Sequence, residues 1–476
     1  MTELKHASTR TGLQARRPSL WQRLALWRVE AKATLALGIP LALSQLGQVA
    51  IHTTDVVMMG WLGPSQLAAG GLAANVFMLP MLFGIGMLTA VSPIAAQIAG
   101  RSARRGKLRE IRRVVRQGFW VATAMALPFM ALCWQVRPIL LLLGQDPTLA
   151  AMAEEYMRAL VWAMLPALWF VVLRAFVSVL SRPRIVLVVT IWGVVFNGLL
   201  AYGLMFGNFG LPAWGLMGSG IASALAHSSM TILLALYVLW DRRFRRYAVF
   251  GRLWRPDWPR FFEIFRLGFP IGLMWVLEIG VFAAALFLMG LIGTTEIAAH
   301  QIALTCASIA FMVPLGLSQA ATVRVGLAAG SGERRQIRRA GWSAIVLGTS
   351  FMGLTCLLFL LAGEFLVTLF LNAADPASAP VGALATRLLI VAGIFQLFDG
   401  AQAVAAGALR GLKDARMPLI IALLGYWLIA FPLAVALGFG FDGGAEGIWI
   451  GLAAGLAVAA VLLNLRFHWL SRRATV

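Results

Sequence analysis

The chain has 476 residues, 60% of them hydrophobic and only 12% charged, with a mean hydropathy of +0.83. A water-soluble domain carries about 25% charged residues, so this composition excludes a soluble fold. The formal charge of +21 does not make the chain a nucleic-acid binder, because its basic residues fall in short segments between apolar blocks and not on one soluble face.

A polar tail, 1–32, comes first, and the apolar block after it is too long for the core of a cleaved signal. Crossing about 30 Å of hydrocarbon takes about 20 helical residues. In lipid every backbone N–H and C=O must find a partner within its segment, so blocks of this length are helices. The short alternating strands of a membrane barrel are not visible. Spans are predicted at 33–60, 66–98, 118–143, 156–180, 185–207 and 213–240, then at 268–292, 296–328, 340–362, 381–408, 417–438 and 446–466. The expected fold is an all-α membrane protein with twelve transmembrane helices in two six-helix lobes. They divide into an N-lobe at 33–240, a basic linker at 241–267, a C-lobe at 268–466 and a C-terminal tail at 467–476.

The loops test this count. Alternate loops and the two tails hold 36 of the 40 Lys and Arg residues; the remaining four are Arg137, Arg158, Arg174 and Arg387. The opposite loops are neutral or acidic, as at Gln145–Glu155, Asp375 and Asp442–Glu446. By the positive-inside rule both termini are cytoplasmic and the chain is a multi-pass protein of the inner membrane. Cys133, Cys306 and Cys356 sit singly in apolar blocks, as core thiols do.

The second half repeats the first. Gly38-Ile39-Pro40 returns as Gly268-Phe269-Pro270, Met59-Gly60-Trp61-Leu62-Gly63 as Met289-Gly290-Leu291-Ile292-Gly293, and Leu67-Ala68-Ala69 as Ile297-Ala298-Ala299, at a constant offset of 230. Two halves with an even helix count enter the membrane in the same sense, so a pseudo-twofold axis along the membrane normal relates them, with a cleft between. Pro40 and Pro270 each remove a helical hydrogen bond at matching places and are the expected hinges.

A charge at mid-bilayer costs roughly 2.5–3.5 kcal/mol on insertion scales, yet Asp55, Glu278 and Asp399 fall well inside spans. Asp55 shares a helical stripe with Gln45, Gln48, His52 and Met59; Trp275 and Phe282 flank Glu278; Gln396 and Gln402 flank Asp399. These carboxylates are the candidate sites for a coupling cation, either Na⁺ at Glu278 and Asp399 or a proton. The plain alternative is a carboxylate kept as packing glue by an internal hydrogen bond. Arg174, the one base deep in a span, is available to pair with one of them. The repeat puts Gln48 opposite Glu278 and Ala285 opposite Asp55, so the acids break a symmetry that the packing residues keep. Met87 and Met274 are among several methionines suited to an adaptable cavity, although core packing accounts for any single one of them. No P-loop, metal-ligand cluster or Ser-His-Asp arrangement is present, which argues against an ATP-driven pump or a hydrolase, and no cofactor is expected.

Three stretches resemble the multidrug and toxic compound extrusion (MATE) transporters, in particular their NorM-like bacterial branch. They are Thr54-Asp55-Val56-Val57-Met58-Met59-Gly60, Ala298-Ala299-His300-Gln301-Ile302-Ala303, and Phe395-Gln396-Leu397-Phe398-Asp399-Gly400 followed by Gly407-Ala408-Leu409-Arg410-Gly411-Leu412-Lys413-Asp414. The resemblance implies a V-shaped pair of lobes, monomeric in the bilayer, that exports small-molecule drugs, typically organic cations, by antiport with Na⁺ or H⁺. It also implies that Glu278 and Asp399 couple the cation and that Asp55 belongs to a first-lobe site near Asn197. Gln48, His52, Gln301, Gln396, Gln402, Trp275 and Phe282 are the expected supporting polar and cavity residues. One departure stands out: where some archaeal relatives carry an aspartate one turn after the asparagine, this chain has Ala201. The nearest rival is a lipid-linked-oligosaccharide flippase on a related fold, for which basic residues in the cavity would be expected.

Overall fold

A computed structural model of the protein describes residues 20–101, 106–371 and 378–473. The expected N-terminal tail up to residue 19, Arg104 and Arg105, Asp375 and the last three residues lie outside the described ones. Among the described residues twelve helices are long and apolar enough to cross a membrane. The first six are α1 (Leu24–Leu62), α2 (Pro64–Gly100), α3 (Lys107–Trp134), α4 (Pro147–Val179), α5 (Pro183–Phe206) and α6 (Gly215–Trp240). The second six are α7 (Trp258–Ile292), α8 (Thr294–Ser331), α9 (Arg334–Thr368), α10 (Ser378–Gly411), α11 (Arg416–Gly440) and α12 (Gly444–Arg473).

Local chemistry sets several ends. Pro64, Pro147 and Pro183 stand in the first helical turn, where the missing N–H costs nothing. Asp146 caps α4, accepting from the backbone N–H of Thr148 at 2.8 Å and of Leu149 at 3.2 Å. Gly207 closes α5 in the left-handed conformation at φ 74°, which glycine tolerates without strain. The helices outrun the expected spans. Helical backbone begins at Leu20, ahead of 33, and α12 runs on to Arg473, beyond 466. Apolar length marks the buried part of a helix, while the polar turns that extend it into the interface carry no hydropathy signal.

Pro40 and Pro270 are buried inside α1 and α7, and both helices run unbroken through them. The backbone instead leaves helical geometry at Ala362 in α9 (φ −124°, ψ 19°) and widens to π-helix at Leu423–Ala430 and Ala436–Gly440 of α11. Such π segments are uncommon and recur at functional sites.

Apolar packing divides the molecule. One core draws almost entirely on α1–α6 and the other on α7–α12. Met87 and Met274 are packed into these cores and do not face a cavity. The lobes meet at the end where the basic loops gather. There a Cβ on Gly86 of α2 would stand 2.8 Å from Gly272 Cα of α7, so the two backbones touch only because both residues lack side chains. Buried Glu30 of α1 pairs with Arg324 of α8 at 2.7 Å, Arg260 of α7 reaches Glu110 of α3 at 3.4 Å, Arg113 pairs with Asp257, and Gln97 donates to the Gly411 carbonyl at 2.9 Å. No hydrogen bond or ion pair among the described residues joins the lobes at the opposite end, where His52, Thr53, Val56 and Val57 of α1 are exposed. The hydrogen bonds and ion pairs that join the lobes gather at the basic end, which is closed.

Candidate functional site

Each lobe holds its own carboxylate centre. In the N-lobe, Asp55 of α1 is buried and accepts from Asn197 Nδ2 of α5 at 2.8 Å and from Ser223 Oγ of α6 at 2.6 Å. The Ser223 hydroxyl lies 3.4 Å from Asn197 Oδ1, which closes a triangle of one acid and two neutral side chains. Asn197 is fully buried, and Ala201 is buried behind it, adding no ligand. No base approaches. A carboxylate, an amide oxygen and a hydroxyl are hard oxygen donors of the kind a small cation takes, and the acid is equally able to hold a proton.

The expected stripe on α1 is split. Gln45 accepts from Arg174 Nη1 at 2.7 Å, so Arg174 pairs with an amide and with none of the three acids. Gln48 is half-buried, His52 is exposed, and neither bonds Asp55. Positions three or four apart lie along one face, but α1 passes from the inter-lobe contact into its own lobe, so successive turns of that face meet different neighbours.

In the C-lobe, Phe395, Asp399 and Gln402 line one face of α10, and Glu278 and Phe282 line one face of α7. Gln402 Nε2 donates to Glu278 Oε1 at 3.3 Å and also meets the Tyr426 hydroxyl. Tyr426 comes from the π-helical stretch of α11, and its neighbour Trp427 donates to the Leu277 carbonyl at 3.1 Å, fixing that stretch over α7. Asp399 is only 8% exposed and has no hydrogen-bond or ion-pair partner among the described residues. Glu278 and Asp399 are near enough to feel each other's charge. Beside them the rings of Phe282 and Phe395 pack edge to face at 5.9 Å, and Phe395 packs on Trp449 at 5.7 Å. Among the described residues no group of three His, Cys, Asp or Glu forms a metal cluster.

Other expected residues stand elsewhere. Gln396 is fully buried one residue off the Asp399 face, accepting from Thr355 Oγ1 at 2.9 Å and donating to the Ala307 carbonyl at 3.4 Å, so it ties α10 to α9 and α8. Gln301 is exposed and bonds none of the carboxylates. Trp275 lines a cavity between the lobes. Sequence reasoning passed over Ser223 and Tyr426, which nothing in their local sequence sets apart. It quoted His300 in a matching stretch without giving it a role; the residue is fully buried, and its Nδ1 accepts from Trp449 Nε1 at 3.1 Å while Nε2 has no partner among the described residues. A histidine inside an apolar span was the available signal.

The MatE family model matches residues 40–203 and again 270–436, once in each half and starting at the two prolines of the repeat. The chain belongs to the MatE family. A member of it is a transporter and not an enzyme, and the resemblance seen in the three motifs is borne out. The probable multidrug resistance protein NorM of Mesorhizobium japonicum is 50% identical over 447 residues, covering 94% of this chain and 95% of that protein. Its counterpart in Brucella suis is 45% identical, covering 93% of each. Among solved structures, the eukaryotic MATE transporter AtDTX14 superposes with a TM-score of 0.82 at 22% identity, covering 94% of this chain and 98% of that one. The bent form of the Vibrio cholerae MATE transporter VcmN gives 0.83 at 18%, with the same coverage. These two share the fold, and the twelve-helix, two-lobe architecture expected of the MatE chain is the one observed.

Proposed function

We propose that this MatE member is a secondary multidrug efflux transporter of the bacterial inner membrane, exporting lipophilic organic cations by antiport with Na⁺ or H⁺. The observation that carries the reading is the state of three carboxylates inside the spans, Asp55 and Asp399 buried and Glu278 half-buried. Asp55 is met by two neutral groups, Glu278 by one amide, and Asp399 by nothing among the described residues. Buried acids without a basic partner are costly; a cation that visits them in each cycle relieves that cost. The NorM names of relatives at 50% and 45% identity support the drug-efflux part.

In this reading the basic end and both termini face the cytoplasm, the protein works as a monomer of two lobes, and the described conformation is open outward. Cation entry from outside neutralises Glu278 and Asp399 and favours drug release; cation loss inside restores the drug-binding form. Each ligand weakens the other by the same factor, because both act through one conformational equilibrium. Asp55, with Asn197 and Ser223, is a second cation point in the N-lobe. The aromatic face of Phe282 and Phe395 offers a docking surface for a cationic ring system. The flippase alternative gains two buried arginines between the lobes, but their cavity of about 40 Å³ does not admit a lipid pyrophosphate.

Ethidium accumulation in efflux-deficient cells tests the reading. Cells carrying the gene should accumulate less dye than cells without it, and Glu278→Gln should restore accumulation. Equal accumulation with and without the wild-type gene, at matched membrane expression, would reject multidrug efflux.

A further inference from the structure

Near the closed basic end a half-open cavity of about 40 Å³ lies between the lobes, lined by Arg174 and Ser178 of α4, Trp275 of α7, Gln319 and Thr322 of α8, and Arg410 of α10. A water needs roughly 10–15 Å³, so the space takes two or three waters or one small ion. Its polar lining is donor-rich and no acid contributes to it. Arg174 and Arg410 are 7% and 6% exposed. Arg174 donates to Gln45 Oε1 and Arg410 Nη2 to Ser318 Oγ, each at 2.7 Å, and neither has a carboxylate within ion-pair distance among the described residues. Arg410 Nε, Ser178 Oγ and Gln319 Nε2 are buried with no hydrogen-bond partner among the described residues. The Thr322 hydroxyl hydrogen is already committed to the carbonyls of Ser318 and Gly407.

A guanidinium has five N–H donors, no acceptor, and does not shed its proton inside a protein. Two such charges buried on the wall of one cavity, with further donors unanswered around them, call for a negative charge. We propose that this cavity binds one small inorganic anion of about the size of chloride, gripped by Arg174 from the N-lobe and Arg410 from the C-lobe and completed by Ser178 and Gln319. The anion bridges the lobes, so it binds the conformation closed at the basic end and disfavours the one in which α4 and α10 separate. A ligand with such differential affinity shifts the lobe equilibrium by the ratio of its two binding constants. The site shares no residue with the carboxylate centres, although the charges of Arg410 and Glu278 act on each other, and it does not depend on the antiport reading.

Thermal unfolding of the purified full chain, titrated with sodium chloride, sodium bromide or sodium gluconate at constant ionic strength, tests this. The wild type should show a saturable rise in unfolding temperature with chloride and bromide but not with bulky gluconate. Arg410→Gln, if monodisperse, should lose that rise while keeping whatever general salt response gluconate reveals. Identical wild-type curves in chloride and gluconate, or a wild-type halide response in Arg410→Gln, would overturn the proposal and leave the cavity to water. Should Arg410→Gln fail to fold, crystals of this conformation grown in bromide decide. An anomalous peak between Arg174 and Arg410 supports the site, and its absence removes it.

Discussion

At the scale of single residues, Asp55 depends on Asn197 and Ser223, which come from two other helices. A hydrogen bond to a charged group is worth about 1.5–3 kcal/mol, and residues in one network couple by about 0.5–3 kcal/mol. A double-mutant cycle of Asp55→Asn and Asn197→Ala, read by thermal unfolding, should give a coupling energy within that span; additive effects would mean that the pair is not energetically linked. The acids themselves were legible in the sequence because a charge in an apolar run is expensive and stands out. Of their partners, Asn197 was reached only through the family resemblance, Gln402 was expected beside Asp399 and bonds Glu278 instead, and Ser223 was not foreseen; they lie 142, 124 and 168 residues away from the acids they bond. Helical spacing put Gln48 and His52 on the stripe of Asp55 but says nothing of which neighbour each turn meets. Gln396 shows the same limit: a step of three residues from Asp399 puts it on a face that bonds Thr355 and Ala307.

At the scale of elements, hydropathy located all twelve helices while missing their interfacial ends and the special backbone within them. The π-helical stretch of α11 sets Tyr426 against Gln402, and no composition rule marks it. The linker also does more than connect. Asp257, just before α7, pairs with Arg113 of α3 and latches the lobes at the basic end. Burial pushes its carboxyl up, but the hydrogen bond and charge of Arg113 outweigh this and hold it below the ordinary carboxylate range. A carboxyl held low contributes stability above its unfolded value of about 3.9 and loses it only as pH falls through the lower folded value. The latch is therefore charged throughout the neutral range and cannot serve as the proton switch. Asp257→Asn should loosen the closed end equally at about pH 6 and about pH 8, seen as faster hydrogen exchange at the start of α3 and in the linker. Loosening confined to the lower pH would contradict this assignment.

At the scale of the whole molecule, the 230-residue repeat foretold two lobes, and two separate apolar cores with a shared closed end are what the chain forms. The closed end rests on small residues, such as Gly86 against Gly272, and on ion pairs that can part without exposing a large apolar surface. An interface of that kind suits two lobes that rock about a central cleft. In the proposed antiport, asymmetry between the lobes carries the function. The C-lobe centre has two carboxyl groups, Glu278 and Asp399, whereas the N-lobe centre has one, Asp55, met by the neutral groups of Asn197 and Ser223. The direct measurement is drug efflux from proteoliposomes under an imposed Na⁺ gradient and, separately, an imposed pH gradient, with wild type, Glu278→Gln and Asp399→Asn. Wild-type efflux should follow at least one gradient and fall about tenfold or more in each variant, with reconstitution unchanged. Efflux at the wild-type rate in both variants under both gradients would contradict cation coupling through these carboxylates.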